Sequence, residues 1–148
     1  EGRAAERKAS GALLVIDVDH FKRINDSFGH DRGDEALQLI AQAIKSVLRG
    51  PALVGRMGGE EFGVFLPATS SLNAEIAAER IRQAINEVEF LPDGRRRALS
   101  VSVGGASFAG KVPFTALYRE ADRRLYEAKD LGRNRVAFSN FDGELVAA

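Results

Sequence analysis

Apolar residues recur along this chain with two different periods. Ala12 to Val18 (ALLVIDV) is a short, branched apolar run that ends in acid, the pattern of a buried strand. Asp31 to Asp34 (DRGD) offers turn and capping residues; after it Leu37, Ile40, Ala41, Ile44, Val47 and Leu48 return at helical spacing. Gly50-Pro51 marks the end of that helix. Leu53-Val54 and Phe62 to Leu66 flank Gly58-Gly59, which predicts two strands joined by a tight turn. Ser70 or Ser71 caps a second helix with Ala77, Ile81, Ala84, Ile85 and Val88 on its inward face. Pro92-Asp93-Gly94 is turn chemistry. Leu99, Val101 and Val103 alternate with Ser100 and Ser102, predicting a half-buried strand. A third helix turns Leu117, Ala121, Leu125 and Ala128 inward, with Gly132 at its C-terminal cap, and Val136 to Phe138 predicts a last strand. The order is strand, helix, hairpin, helix, strand, helix, strand. That order predicts an α+β fold, an α/β sandwich of helices on a mixed sheet. Glu1 to Ser10 (EGRAAERKAS), polar and rich in Ala and Arg, reads as the end of a helix.

Composition narrows the function classes. A length of 148 residues predicts one domain, 1–148. The 21 Lys and Arg balance 21 Asp and Glu, and only 7% of residues are aromatic, which argues against a nucleic-acid surface. The absence of cysteine removes disulfides, thiolate metal sites and cysteine nucleophiles together. The longest apolar runs, Gly11 to Ile16 and Phe62 to Ala68, are too short to span a bilayer, and no charged-then-apolar leader is present. The expectation is a cytoplasmic domain with no membrane contact of its own.

Two acidic clusters carry the candidate chemistry. Asp17 and Asp19 close the first strand, and Glu60 and Glu61 follow the Gly-Gly turn. Either pair alone is an ordinary solvated turn. Together they share one rim of a sheet, where sites assemble. Gly58 and Gly59 clear side chains from beside them, which lets a bulky anion approach the backbone. A hard divalent cation takes oxygen ligands and shares them with substrate phosphates, so this pattern suits a magnesium–triphosphate site. Lys22, Lys129 and Arg133 are candidate phosphate partners, although Lys129 and Arg133 also fit simple cations at a helix C-terminus. Arg95-Arg96-Arg97 reads as a solvated face, and His20 and His30 are too few for a histidine metal centre. Neither a P-loop nor a Gly-x-Ser-x-Gly elbow is present.

Three segments resemble a known family. Asp17 to Asp34 (DVDHFKRINDSFGHDRGD), Gly58 to Phe62 (GGEEF) and Tyr126 to Val136 (YEAKDLGRNRV) are similar to the opening, signature and closing motifs of GGDEF domains, the diguanylate cyclases, with Glu in place of the signature Asp. The resemblance implies a palm-like mixed sheet flanked by helices, as in class III nucleotidyl cyclases. It implies condensation of two GTP into cyclic di-GMP, with release of two pyrophosphates. Carried over by motif, Asp17, Glu60 and Glu61 would ligand Mg2+ (or Mn2+) by carboxylate, and Val18 by its carbonyl. Glu60 or Glu61 would help deprotonate the attacking 3′-hydroxyl; the motif does not choose between them. Asn25 and Asp34 would read guanine, His30 and the Gly58-Gly59 backbone would contact substrate, and Lys22, Lys129 and Arg133 would hold phosphates. One GTP per subunit implies a head-to-head homodimer.

Two departures from the family pattern stand out. The Asp-x-Leu-Thr segment that usually precedes the first strand is missing, so the expectation is a fragment of a longer signalling protein. The family's inhibitory Arg-x-x-Asp reads Arg49-Gly50-Pro51-Ala52, leaving Arg49 and Arg80 as a remnant. The alternative is a catalytically silent GGDEF module that binds GTP or cyclic di-GMP as a regulator. Silent members lose signature carboxylates or phosphate residues, and this sequence keeps both. A sheet-based RNA-binding module would need a basic excess and exposed aromatics, and neither is evident.

Overall fold

The computed structural model describes residues 10–140. Its elements run β1 (Ser10–Val18), α1 (Phe21–Phe28), α2 (His30–Val47), β2 (Leu53–Gly58), β3 (Glu61–Pro67), α3 (Ser71–Asn86), β4 (Val101–Ala109), α4 (Phe114–Asp130) and β5 (Val136–Asn140). The strands form one sheet in the order β2-β3-β1-β4-β5, antiparallel except for the parallel β4–β5 pair. The expected α+β sandwich is therefore present. Apart from Ser10, which opens β1, the helix end read in Glu1 to Ser10 lies outside the described residues.

β1 lies mid-sheet and is covered on both faces, which is why its apolar run is continuous rather than alternating. Leu14 and Ile16 join Ile40, Ile44, Val64, Ile81 and Ile85 in the larger core beneath α2 and α3. Leu13 and Val15 point the other way, onto Leu117, Ala121 and Leu125 of α4. α4 lies almost on the backbone of β4. A Cβ at Gly104 would sit 2.1 Å from the Leu125 nitrogen and 2.2 Å from the Ala121 carbonyl oxygen.

Several expectations need correction. An unforeseen helix, α1, follows β1 directly. Gly29, with φ 91°, separates it from α2. Asp31 to Asp34 is therefore the opening of α2 and not a turn ahead of it. β4 is buried on both faces: Ser102 is as enclosed as Val101 and Val103, because a buried carboxylate receives its hydroxyl. The fully buried face of α3 is Ala74, Ala78, Ile81 and Ile85; Ala77 and Ala84 flank it, and Val88 lies past the helix end. α2 stops at Val47, ahead of Gly50-Pro51.

Other expectations hold. Ser70 is the cap of α3, accepting from the Asn73 N–H at 3.1 Å. α4 ends as its glycine demands: Gly132 N–H donates to the Lys129 carbonyl at 3.2 Å and Arg133 N–H to the Ala128 carbonyl at 3.0 Å, the paired bonds of a Schellman stop.

Candidate active site

The site assembles at the rim where β1 ends and the β2–β3 hairpin turns. Antiparallel pairing sets Asp17 directly opposite Glu61, and the Val18 N–H donates to the Glu60 carbonyl at 3.2 Å. Two strands far apart in sequence thus bring three carboxylates to one corner. The turn between β2 and β3 needs a glycine for its backbone, since Gly59 has φ 43°. Packing does not need one: a Cβ at Gly58 or Gly59 would meet nothing within 4 Å. The cleared space faces outward. The Arg56 Nε–H donates to the Gly59 carbonyl at 2.9 Å and holds the turn from below.

The cations arrive on the last turn of α4 and the loop after it. The Lys129 ammonium is ion-paired with the half-buried Asp17 carboxylate. The Schellman stop then turns the chain so that Arg133 and Asn134 follow with φ 66° and 49°. Burial pushes the Glu60 carboxyl above the usual range, and nearby Asp17 adds to this, while Lys129 pulls it back. Glu61 is raised for the same reasons, with Asp122 as a further like charge; the hydrogen bond from Tyr118 and the Lys129 charge oppose the rise. The Tyr118 hydroxyl donates to Glu61 Oε1 at 3.4 Å.

Every ligating atom the carboxylates of this corner offer is an oxygen, and burial together with the Asp17 charge disfavours the ionised form of Glu60 and Glu61, a cost that a bound cation would relieve. That chemistry fits a hard divalent cation. Among the described residues no three acidic or histidine side chains stand in ligating geometry around one point; Lys129 closes Asp17 instead.

The remaining candidates lie in three places. Asn25, on α1, directs a buried Oδ1 with no protein partner toward Gly33, where a Cβ would be 1.9 Å away. A side chain at Gly33 would have to displace the Asn25 amide, so the glycine lets Asn25 lie beside the residue that precedes Asp34. Asp34 is exposed and lines a cavity of about 340 Å³ with Leu37, Gln38, Ala41, Arg56 and Phe62, next to the hairpin. Lys22 is exposed and ion-paired with Asp26 at 3.1 Å, and His30 is exposed at the first residue of α2; the structure does not bring either into the carboxylate corner. Arg49 and Arg80 line one separate cavity of about 250 Å³, with Gln83 and Glu87, between α2 and α3.

Three residues beside the site were not foreseen as part of it: Tyr118 and Asp122, which face Glu61, and Arg56, which braces the turn. Tyr118 and Asp122 sit four apart on the face of a helix already read as amphipathic. Only the packing of α4 on β4 reveals which strand they meet. Among the described residues no helix is long and apolar enough to cross a membrane.

The family model for the diguanylate cyclase GGDEF domain matches residues 2–135. Diguanylate cyclase A of Treponema denticola is 40% identical over 137 residues, covering 92% of this chain and 37% of that protein. Diguanylate cyclase DgcP of Pseudomonas aeruginosa is 42% identical over 139 residues, covering 92% of this chain and 21% of that protein. The chain thus spans well under half the length of these relatives. Among solved structures, the active GGEEF domain of a diguanylate cyclase from Vibrio cholerae superposes with a TM-score of 0.83 at 37% identity, over 93% of this chain and 87% of that one. The GGDEF domain of DgcB from Caulobacter crescentus, in complex with c-di-GMP, superposes with a TM-score of 0.82 at 31% identity, over 91% and 82%. With strand order, hairpin, carboxylate corner and sequence all in agreement, the chain belongs to the GGDEF diguanylate cyclase domain family.

Proposed function

We propose that this domain is an active diguanylate cyclase that joins two GTP into cyclic di-GMP with release of two pyrophosphates. One observation carries the reading: Asp17 and Glu61 face each other across paired strands, with Lys129 on Asp17 and an open glycine turn alongside. Phosphoryl transfer asks for positioned charge more than for a covalent nucleophile. Asp17, Glu60, Glu61 and the Val18 carbonyl would hold Mg2+, or Mn2+ in its place. Bound there, the ion neutralises phosphate oxygens and polarises the phosphorus under attack. Lys129 and Arg133 bind the phosphates, with Lys22 swinging in from α1 once it leaves Asp26. Without the ion, burial raises the Glu60 and Glu61 carboxyls, so whichever of the two is left off the metal would be the stronger proton acceptor toward a 3′-hydroxyl. The bare backbone at Gly58 and Gly59 leaves room for the triphosphate. In the relatives, the Vibrio cholerae domain is described as active and the Caulobacter crescentus domain binds c-di-GMP.

Each subunit holds one GTP, so ring closure needs two subunits head to head. Incubation with GTP and Mg2+ should yield cyclic di-GMP and pyrophosphate, resolved by chromatography. Activity per molecule should rise with protein concentration, because the competent species is a dimer. Flat specific activity down to dilutions where light scattering sees only monomer would exclude the two-half-site arrangement. GTP binding with no product at any concentration would favour the silent module instead.

Base choice rests on Asn25 and Asp34. A carboxylate accepts from the N1–H and amino group of guanine, a pattern adenine lacks. Asp34→Ala is expected to weaken GTP binding by about 1.5–3 kcal/mol, the worth of hydrogen bonds made to a charged group. Because Asp34 is exposed, melting should barely change. Calorimetry giving equal GTP and ATP affinities for the unaltered domain would refute the assignment.

Arg49 and Arg80 share a cavity, but Ala52 stands where the inhibitory motif has its carboxylate. Loss of one charge-assisted contact costs about 1.5–3 kcal/mol, so that cavity should stay empty at ordinary product levels. Product should compete with GTP in steady-state kinetics, and Ala52→Asp should add a non-competitive component. Product titrating onto Arg49 in the unaltered domain would contradict this.

A further inference from the structure

Asp19 belongs to the opening motif, yet neither the metal nor the phosphate assignments use it. It is only 6% exposed. Its carboxylate receives three hydrogen bonds from two elements remote in sequence. Ser100 Oγ donates to Oδ2 at 2.6 Å, Ser102 Oγ to Oδ1 at 2.7 Å, and the Asn134 backbone N–H to Oδ2 at 3.0 Å. Its own N–H donates to the Ser100 carbonyl at 2.9 Å.

We propose that Asp19 is a positioning residue for the reaction, fixing the Arg133 phosphate arm at a set distance from the metal-binding end of β1. Arg133 and Asn134 both sit in the left-handed region, at φ 66° and 49°. Non-glycine residues hold such backbone only where their surroundings over-determine it. The bond from Asn134 N–H to Asp19 is a main part of that determination. Arg82 supplies another from α3, donating from Nη1 to Asn134 Oδ1 at 3.0 Å. Asp19 stands one residue beyond Val18 and two beyond Asp17, and Asn134 follows Arg133. A single buried carboxylate therefore clamps the loop that carries the cation to the strand that carries the acids. Ser100 and Ser102 take two more of its acceptor sites, so most of its hydrogen-bonding capacity is spent on geometry. Small displacements of a positioned group cost large factors in rate, up to about a hundredfold for 1 Å.

The proposal rests on the reading of Arg133 as a phosphate ligand, and its test separates the two. Asp19→Asn keeps shape but weakens the acceptor. Hydrogen exchange on the ligand-free domain should show the Asn134 amide protected in the unaltered protein and exposed in Asp19→Asn. A fast-exchanging Asn134 amide in the unaltered protein would overturn the clamp whatever the activity. In the assay, Asp19→Asn is expected to lower kcat/KM for GTP by roughly tenfold to a hundredfold. The double variant with Arg133→Ala should be no worse than Arg133→Ala alone, within about twofold, because coupled residues are not additive. Losses that multiply instead would mean that Asp19 acts through general stability, and the proposal would fall. If the amide is protected as expected but Arg133→Ala leaves turnover intact, the phosphate reading of Arg133 fails, and the positioning role with it. Should Asp19→Asn melt below the assay temperature, Ser102→Ala loosens the same carboxylate more gently and carries the same cycle with smaller factors.

Discussion

Glu60→Gln should abolish cyclic di-GMP synthesis while the domain remains folded. The change keeps volume and removes one carboxylate from a corner that holds three. If Glu60 ligands the ion or accepts the proton, the loss in kcat should be on the order of 10²–10⁴. Stability should move the other way. The Glu60 carboxyl is raised in the fold by burial and by Asp17, so its proton is held more tightly folded than unfolded. Such a group favours the fold below its unfolded pKa, and that contribution is lost as pH rises through the folded value. At neutral pH the ionised Glu60 is therefore a small burden on the metal-free domain. In EDTA, Glu60→Gln should melt no lower than the unaltered protein. With Mg2+ added, only the unaltered protein should gain melting temperature, since an ion that binds the folded state alone stabilises it. Equal turnover by the two proteins at saturating Mg2+ would remove Glu60 from the mechanism.

Which parts of this molecule the chain announced follows from how local their causes are. The β2–β3 hairpin was legible because Gly58-Gly59 sits between two apolar runs, and the turn it predicts is set by those same residues. α4 was legible because Leu117, Ala121, Leu125 and Ala128 make a stripe over four turns. α1 was not, although Phe21, Ile24 and Phe28 recur at helical spacing: it is eight residues long, about two turns, and buries none of them fully, so the period is too short to stand out from a loop. β4 misled for a different reason. Ser100 and Ser102 look like a solvent face until Asp19, 83 residues away from Ser102, is placed against them.

The site divides in the same way. Asp17, Glu60, Glu61, Lys129 and Arg133 stand in motifs, and the strand register brings the acids together as their positions suggested. Tyr118, Asp122 and the Asp19–Asn134 clamp depend on how a helix lies over a sheet, which no short motif encodes. Lys22 and His30 also stand in motifs, but both are exposed and outside the carboxylate corner.

Gly104→Ala should damage fold and function together, because one atom separates them. The added Cβ would lie 2.1 Å from the Leu125 nitrogen and 2.2 Å from the Ala121 carbonyl oxygen. Both are helix backbone, which cannot rotate aside as a side chain would, so α4 must lift from β4. Overpacking of this kind costs about 1–3 kcal/mol and sometimes more. For a chain of this size each kcal/mol lowers the melting temperature by roughly 2–4 °C, so a fall of about 2–12 °C is expected. Lifting α4 also carries Lys129 away from Asp17 and Tyr118 away from Glu61, so activity at temperatures where the variant is folded should drop as well. Gly55→Ala is the matched control: it lies on β2, and its Cβ would meet nothing within 4 Å. It should leave melting nearly unchanged. A Gly104→Ala domain with unaltered melting and turnover would show that α4 can shift freely over the sheet, and would remove helix packing as the source of the site's geometry.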